Sequence, residues 1–194
     1  MSFQTPATAQ SLTYDVVKDG KPIGTIFSKL IRHPDGTEQY LIETDVAFRV
    51  ITQFALRYLY DVKFKNGTLF WCHTQSLLNG KERDRMTTTQ QPSHYLAHDG
   101  SSGKQLQQSR IAYTTALLYY REPLQVQQVY SERFGEFCKI IPQGKGKYIL
   151  EMPDGKQNIY HYENGICTRV DVSHFLADFS FVLRQNKDIK TVSK

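Results

Sequence analysis

His94 and His98 in HYLAH stand four residues apart, a spacing that on a helix would turn two imidazoles to one side as ligands for zinc. The segment lies between Pro92 and the Asp99-Gly100 turn, and the glutamate of an HExxH arrangement is missing. In a strand the two rings would share a face yet sit roughly 13 Å apart, too far to chelate one ion. They read as surface histidines, and no metal is expected. Cys72-His73 in LFWCHTQS sets a thiol beside an imidazole, but strand neighbours point to opposite faces, which argues against a catalytic pair. Cys72 reads as a buried thiol. Trp71 shares the other face with His73 and Gln75, a mixture that suits a ligand pocket or a strand running from core to solvent.

No GxSxG elbow is present, and no glycine-rich loop precedes a helix, so acyl transfer and phosphate binding lack their usual frames. Asp171 and Asp178 flank His174 and could orient its ring, although a surface network is the simpler reading. Asp178 in FLADFSFVL sits among apolar neighbours: Phe179, Phe181 and Leu183 alternate with it, and Leu176 and Val182 share its side. A half-buried carboxylate requires a partner, and Arg121 could supply one. Arg121 also follows Tyr119 and Tyr120, so these three could meet an anionic group of a ligand. Trp71, Tyr119, Tyr120, Arg121 and Asp178 are therefore the candidate ligand-binding residues. No catalytic residue and no cofactor is assigned, which ranks an enzyme below a binding protein.

These side chains must be positioned by strands. Asp-Gly and Asn-Gly turns recur at 19–20, 35–36, 66–67, 79–80, 154–155 and 164–165, and they tolerate the positive φ of tight hairpins. Between them, polarity alternates. Tyr40, Ile42, Thr44, Val46, Phe48 and Val50 oppose Gln39, Glu43, Asp45 and Arg49; Tyr58, Tyr60, Val62 and Phe64 oppose Asp61, Lys63 and Lys65. Ile166, Thr168, Val170 and Val172 likewise oppose Arg169 and Asp171. One buried and one wet face is the antiparallel signature. The reading is a mainly β fold: an antiparallel meander of about ten strands curled into an open barrel, roll or sandwich.

One stretch breaks the rhythm. In RIAYTTALLYYREPLQ (110–125) no alternation survives, Ile111, Thr115 and Leu118 keep i, i+4, i+7 spacing, and Pro123 supplies a stop. The spacing predicts one central helix over 111–121, packed on the concave face of the sheet, with a buried central strand as the alternative.

The chain has 194 residues, 40% hydrophobic and 22% charged, which suits a single β domain over 11–186 with a polar tail at 187–194. Residues 1–10 read as a disordered lead or a signal-peptide remnant, because Ala7-Thr8-Ala9 has the A-x-A form of a cleavage site without the charged and apolar regions that normally precede it. The net charge of +5 is spread through turns and outward positions rather than gathered in a patch, so nucleic acid is not an expected partner. No run approaches a membrane-spanning length. Three cysteines allow one disulfide plus a thiol, or three buried thiols.

The opening YDVVKDGKPIGT (14–25), the block TALLYYREPL (115–124) and the late unit KYILEMPDGKQNIYHYENGICTRVDV (147–172) together resemble an exported bacterial mainly-β family known only as a domain of unknown function. The resemblance implies a periplasmic or secreted protein and carries no activity with it. Two functions fit: a carrier holding a lipid-like or other small hydrophobic or amphiphilic molecule between curved sheet and helix, or an interaction module binding a protein or glycan through an aromatic surface patch.

Overall fold

A computed structural model describes residues 7–49, 53–173 and 178–184. Among the described residues, fourteen strands form one antiparallel sheet. The N-terminal half contributes β1 (Thr8–Lys18), β2 (Lys21–Arg32), β3 (Thr37–Arg49), β4 (Gln53–Lys65), β5 (Thr68–Leu78), β6 (Lys81–Gln90), β7 (Tyr95–His98) and β8 (Gly103–Leu106). The C-terminal half contributes β9 (Gln128–Ser131), β10 (Glu136–Pro142), β11 (Lys147–Glu151), β12 (Gln157–Glu163), β13 (Ile166–Ser173) and β14 (Asp178–Leu183). β1 begins inside the 1–10 segment read as a lead, and the 187–194 tail lies outside the described residues.

Every strand pairs with its sequence neighbour except at two places. β1 pairs with β14, Tyr14 opposite Leu183 and Val17 opposite Ser180, so the first and last strands meet in the middle of the sheet. β8 and β9 are its two edges, joined in sequence by the connection 107–127. The Asp19-Gly20, Asn66-Gly67, Asn79-Gly80 and Asn164-Gly165 hairpins have positive φ at both central residues, the primed turn whose twist matches that of the strands it joins.

The sheet curls until its ends face each other, and side chains bridge them. The Thr88 and Tyr130 hydroxyls are 2.7 Å apart, Lys104 Nζ lies 2.6 Å from Glu136, and Arg133 reaches Asp84 at 3.3 Å. A twisted sheet of so many strands relieves its strain by curling in this way. Tyr14, Ile26, Leu30, Tyr40, Val62, Leu69 and Leu150 are buried on the concave side.

Two bulges move side chains from their expected faces. Lys63 pairs with Trp71 and Phe64 with Leu69, which leaves Phe70 as the extra residue and carries Leu69, not Phe70, into the core beside Cys72. In β13, His161 pairs with Arg169 and Tyr162 with Cys167, so Thr168 is extra and Cys167 is buried in place of Ile166 or Thr168.

The central helix expected over 111–121 does not form. Thr115–Tyr119 make a short 3-10 turn, and the rest of the connection is irregular. Nor is it a central strand, since its one pairing is an isolated bridge from Thr114 to Tyr130. The reason lies in where its backbone groups find partners. The Leu69 and Tyr130 amides donate to the carbonyls of Ile111 and Tyr113, and Tyr162 Oη donates to the Leu118 carbonyl at 2.7 Å. Surrounding strands thus satisfy polar groups that a helix would otherwise pair internally. Ile111, Ala116, Leu117, Leu118 and Tyr120 are all buried, because the segment crosses the hollow of the curled sheet, with Ala112 and Arg121 left exposed.

Candidate functional site

Beside this crossing segment lies a cavity of about 160 Å³, the size of an apolar cavity that accepts a benzene ring. Ile42, Val46, Tyr60, Tyr119, Tyr160 and Phe181 form much of its wall. Strict alternation in β3, β4 and β14 turns these residues inward. The short 3-10 turn, in place of a full helix, adds Thr115, Ala116 and Tyr119 as the opposite wall. Burial raises the Tyr60 and Tyr119 phenols well above their ordinary range, so both remain protonated. Neither hydroxyl makes a hydrogen bond to another described residue, which leaves two polar points on an otherwise apolar wall.

The cavity opens past Tyr58, Arg133, Met152, Asn158 and Val172 into a polar vestibule of about 140 Å³. Arg83, Asp84, Asp154 and Lys156 line that outer space. Arg133 stands at the junction, its guanidinium 5.2 Å from the Tyr58 ring and 5.1 Å from that of Phe134. Stacked cations of this kind are held by the aromatic quadrupoles while keeping their N–H donors free for anions.

Next to Arg133 in sequence, Glu132 is completely buried. Its carboxylate accepts hydrogen bonds from the Thr115 amide at 3.1 Å, the Ala116 amide at 3.0 Å and the Thr115 hydroxyl. It thereby caps the 3-10 turn and pins the crossing segment to the end of β9. Burial holds this carboxyl above the usual range, and the hydrogen bonds offset only part of that shift.

Of the residues singled out in the sequence, Tyr119 lines the cavity. Tyr120 is buried beyond it, its hydroxyl 2.9 Å from that of Ser28 and its ring against Tyr40. Trp71 lies on the outer face, stacked on His73 and under Lys63 Nζ at 4.7 Å. Arg121 binds Glu38 through two contacts, at 2.9 and 3.0 Å, instead of Asp178. Asp178 is exposed at the start of β14, so burial demands no partner for it; His174 lies outside the described residues. Arg133 and Glu132 escaped the sequence reading because a Glu-Arg pair in a turn has the pattern of exposed charge, and nothing in the spacing reports that β9 ends inside the fold.

Groups that could react are kept apart or inert. The three thiols are buried and unpaired, and burial pushes Cys138 and Cys167 up to about 12. His73 faces Thr87 at 2.9 Å, on the opposite side of β5 from Cys72. His161 lies 3.0 Å from Asp171, but the Ser180 hydroxyl donates to Asp171 and not to the imidazole. Among the described residues no three metal-ligating side chains come together, and no helix is long and apolar enough to cross a membrane.

The fold and cavity define a class: a mainly β, barrel-like protein with an unclosed sheet wrapped around an internal segment. Within that class, residues 14–184 match the model of a domain of unknown function, DUF6134, and the chain belongs to this family. The mainly-β, unknown-function resemblance seen in its turns and late strands therefore holds. The chain is also similar in structure to a beta-barrel-like protein of domain of unknown function DUF1849 from Brucella abortus, with a TM-score of 0.55 and 11% identity over 90% of this chain and 95% of that one. No curated protein matches the sequence.

Proposed function

We propose that this protein is a non-catalytic carrier, exported to the periplasm or beyond the cell, that holds a hydrophobic or amphiphilic small molecule between the curved sheet and the segment 107–127. The observation that carries the reading is the apolar cavity beside a charged vestibule: an interior rich in aliphatic and tyrosyl side chains that shares Tyr58, Arg133 and Asn158 with the polar space outside it. Concave apolar sites with a few convergent polar groups are the usual form of small-molecule pockets. Export rests on the resemblance of segments 14–25, 115–124 and 147–172 to an exported family, with the A-x-A form of Ala7-Thr8-Ala9 beside it.

The test is native against denaturing mass spectrometry of protein purified from its own host, with organic extraction of whatever separates. An added mass that leaves on denaturation is expected. A clean mass, together with failure to bind any apolar probe in solution, would overturn the carrier reading. Fractionation of the same cells tests export, since recovery in the cytosol alone would sink it.

A second reading has one observation in its favour. Trp71 presents an indole on the outer face between Lys63 and His73, a surface on which a glycan ring or a protein side chain could stack. Trp71→Ala would abolish such binding and leave cavity binding untouched.

A further inference from the structure

We infer that the ligand is a single-chain anionic amphiphile with a carboxylate head, its chain in the cavity and its head on Arg133. The inference rests on the carrier reading and goes further by assigning the head group. Four observations support it. Arg133 borders both the apolar cavity and the polar vestibule, so one guanidinium marks the boundary an amphiphile would straddle. Its partner Asp84 is reached through a single contact at 3.3 Å, which leaves most of the five donors of the fork uncommitted. Tyr58 and Phe134 hold the guanidinium plane, and the donors of a fixed fork match a carboxylate two at a time.

The fourth observation is the charge around the mouth. Arg83, Arg133 and Lys156 face the vestibule with Asp84 and Asp154. Asp154 lies 3.1 Å from Lys156, Asp84 is shared between Arg133 and the Ser76 hydroxyl, and Arg83 has no ion-pair partner among the described residues. The cations outnumber the carboxylates where a head group would emerge. An uncharged head would leave these donors facing water, and a cationic head would meet like charge. Inside the cavity, the Tyr60 and Tyr119 hydroxyls offer hydrogen bonds but no charge, so the anion belongs beside Arg133 and not among the tyrosines. An internal volume of about 160 Å³ fits a short chain or the terminal part of a longer one.

The test uses the full chain and three eight-carbon probes kept below micelle formation: octanoate, octanol and octyltrimethylammonium. Titration calorimetry is expected to give octanoate about tenfold tighter binding than octanol, with the cation weakest. That margin should shrink as sodium chloride rises from about 20 to about 200 mM, because the mouth is open to ions. Arg133→Gln, checked for folding by circular dichroism, should abolish the preference for octanoate over octanol. Asp84→Asn, which releases Arg133 from its carboxylate, should tighten octanoate binding. Equal affinity for all three head groups in the unaltered protein would overturn the carboxylate inference and leave the carrier reading standing. Failure of all three to bind would overturn the inference, and joined to a clean native mass it would overturn the carrier reading as well. Binding to phosphatidylglycerol vesicles without any octanoate binding would also overturn it, by placing the anion on a membrane surface.

Discussion

Glu132 shows how one side chain governs the interior. A carboxylate without solvent exposure is costly unless hydrogen bonded, and this one is offered two backbone amides and a hydroxyl at the start of the 3-10 turn. Its proton affinity in the fold exceeds that in the unfolded chain because burial penalises the anion. The folded state therefore binds a proton more tightly than the unfolded one, and the stabilisation from this group is fully present below the unfolded value, about 4.3. It is lost as the pH rises through the folded value. Glu132→Gln removes that dependence and turns an amide N–H toward backbone donors, which should cost about 1–3 kcal/mol at the acid end of the range. Urea unfolding of both proteins at several pH values checks this: the advantage of the native protein should diminish as pH rises. A constant difference would mean that Glu132 has the same proton affinity in the folded and unfolded states.

At the scale of the element, the crossing segment is the part on which the sheet's shape depends. Leu117 and Leu118 are buried against opposite halves of the core, one in the cluster under β1–β5 and the other in the cluster under β9–β13. Leu117→Asp with Leu118→Asp would place two unpaired carboxylates there, each costing several kcal/mol against a total stability of roughly 5–15 kcal/mol. No folded protein is expected by circular dichroism. Leu124→Asp, at a position 67% exposed in the same connection, should lie within about 0.5 kcal/mol of the native protein. Strands such as β3 were legible in the sequence because each has a wet face that enforces period two. The crossing segment was not, because residues 113–120 are buried or half-buried without alternation and no wet face is left to mark a period. Its i, i+4, i+7 residues recorded burial and not helicity. Phe70 and Thr168 hid for a related reason, since a bulge changes which neighbours are inside without altering composition. Of the candidate site, Tyr119 was legible as part of the apolar block, whereas Arg133 acquires its position only when the two ends of the sheet meet.

For the whole molecule, the sheet has two edges, and they should differ in stability. β8 pairs only with β7, and its four residues are exposed or half-buried. β9 is also terminal and also four residues long, yet Val129, Tyr130 and Ser131 are buried. The Tyr130 amide donates to the Tyr113 carbonyl at 3.0 Å, and the adjoining Glu132 is tied to the 3-10 turn. One edge is therefore open to water while the other is covered by the chain's own crossing segment, a device that also protects an edge from pairing with another molecule. Local opening follows burial and hydrogen bonding more closely than strand length. Hydrogen exchange should accordingly run fastest in β7 and β8, slow through β6, and reach its slowest in β1 and β14, where the first and last strands pair. The covered edge β9 should exchange nearly as slowly as β10. Equal, rapid exchange at β8 and β9 would show that the connection does not clamp the sheet, and would remove the wall on which the cavity depends. Slow exchange at β9 that becomes rapid in Glu132→Gln, with β8 unchanged, would trace the clamp to that buried carboxylate.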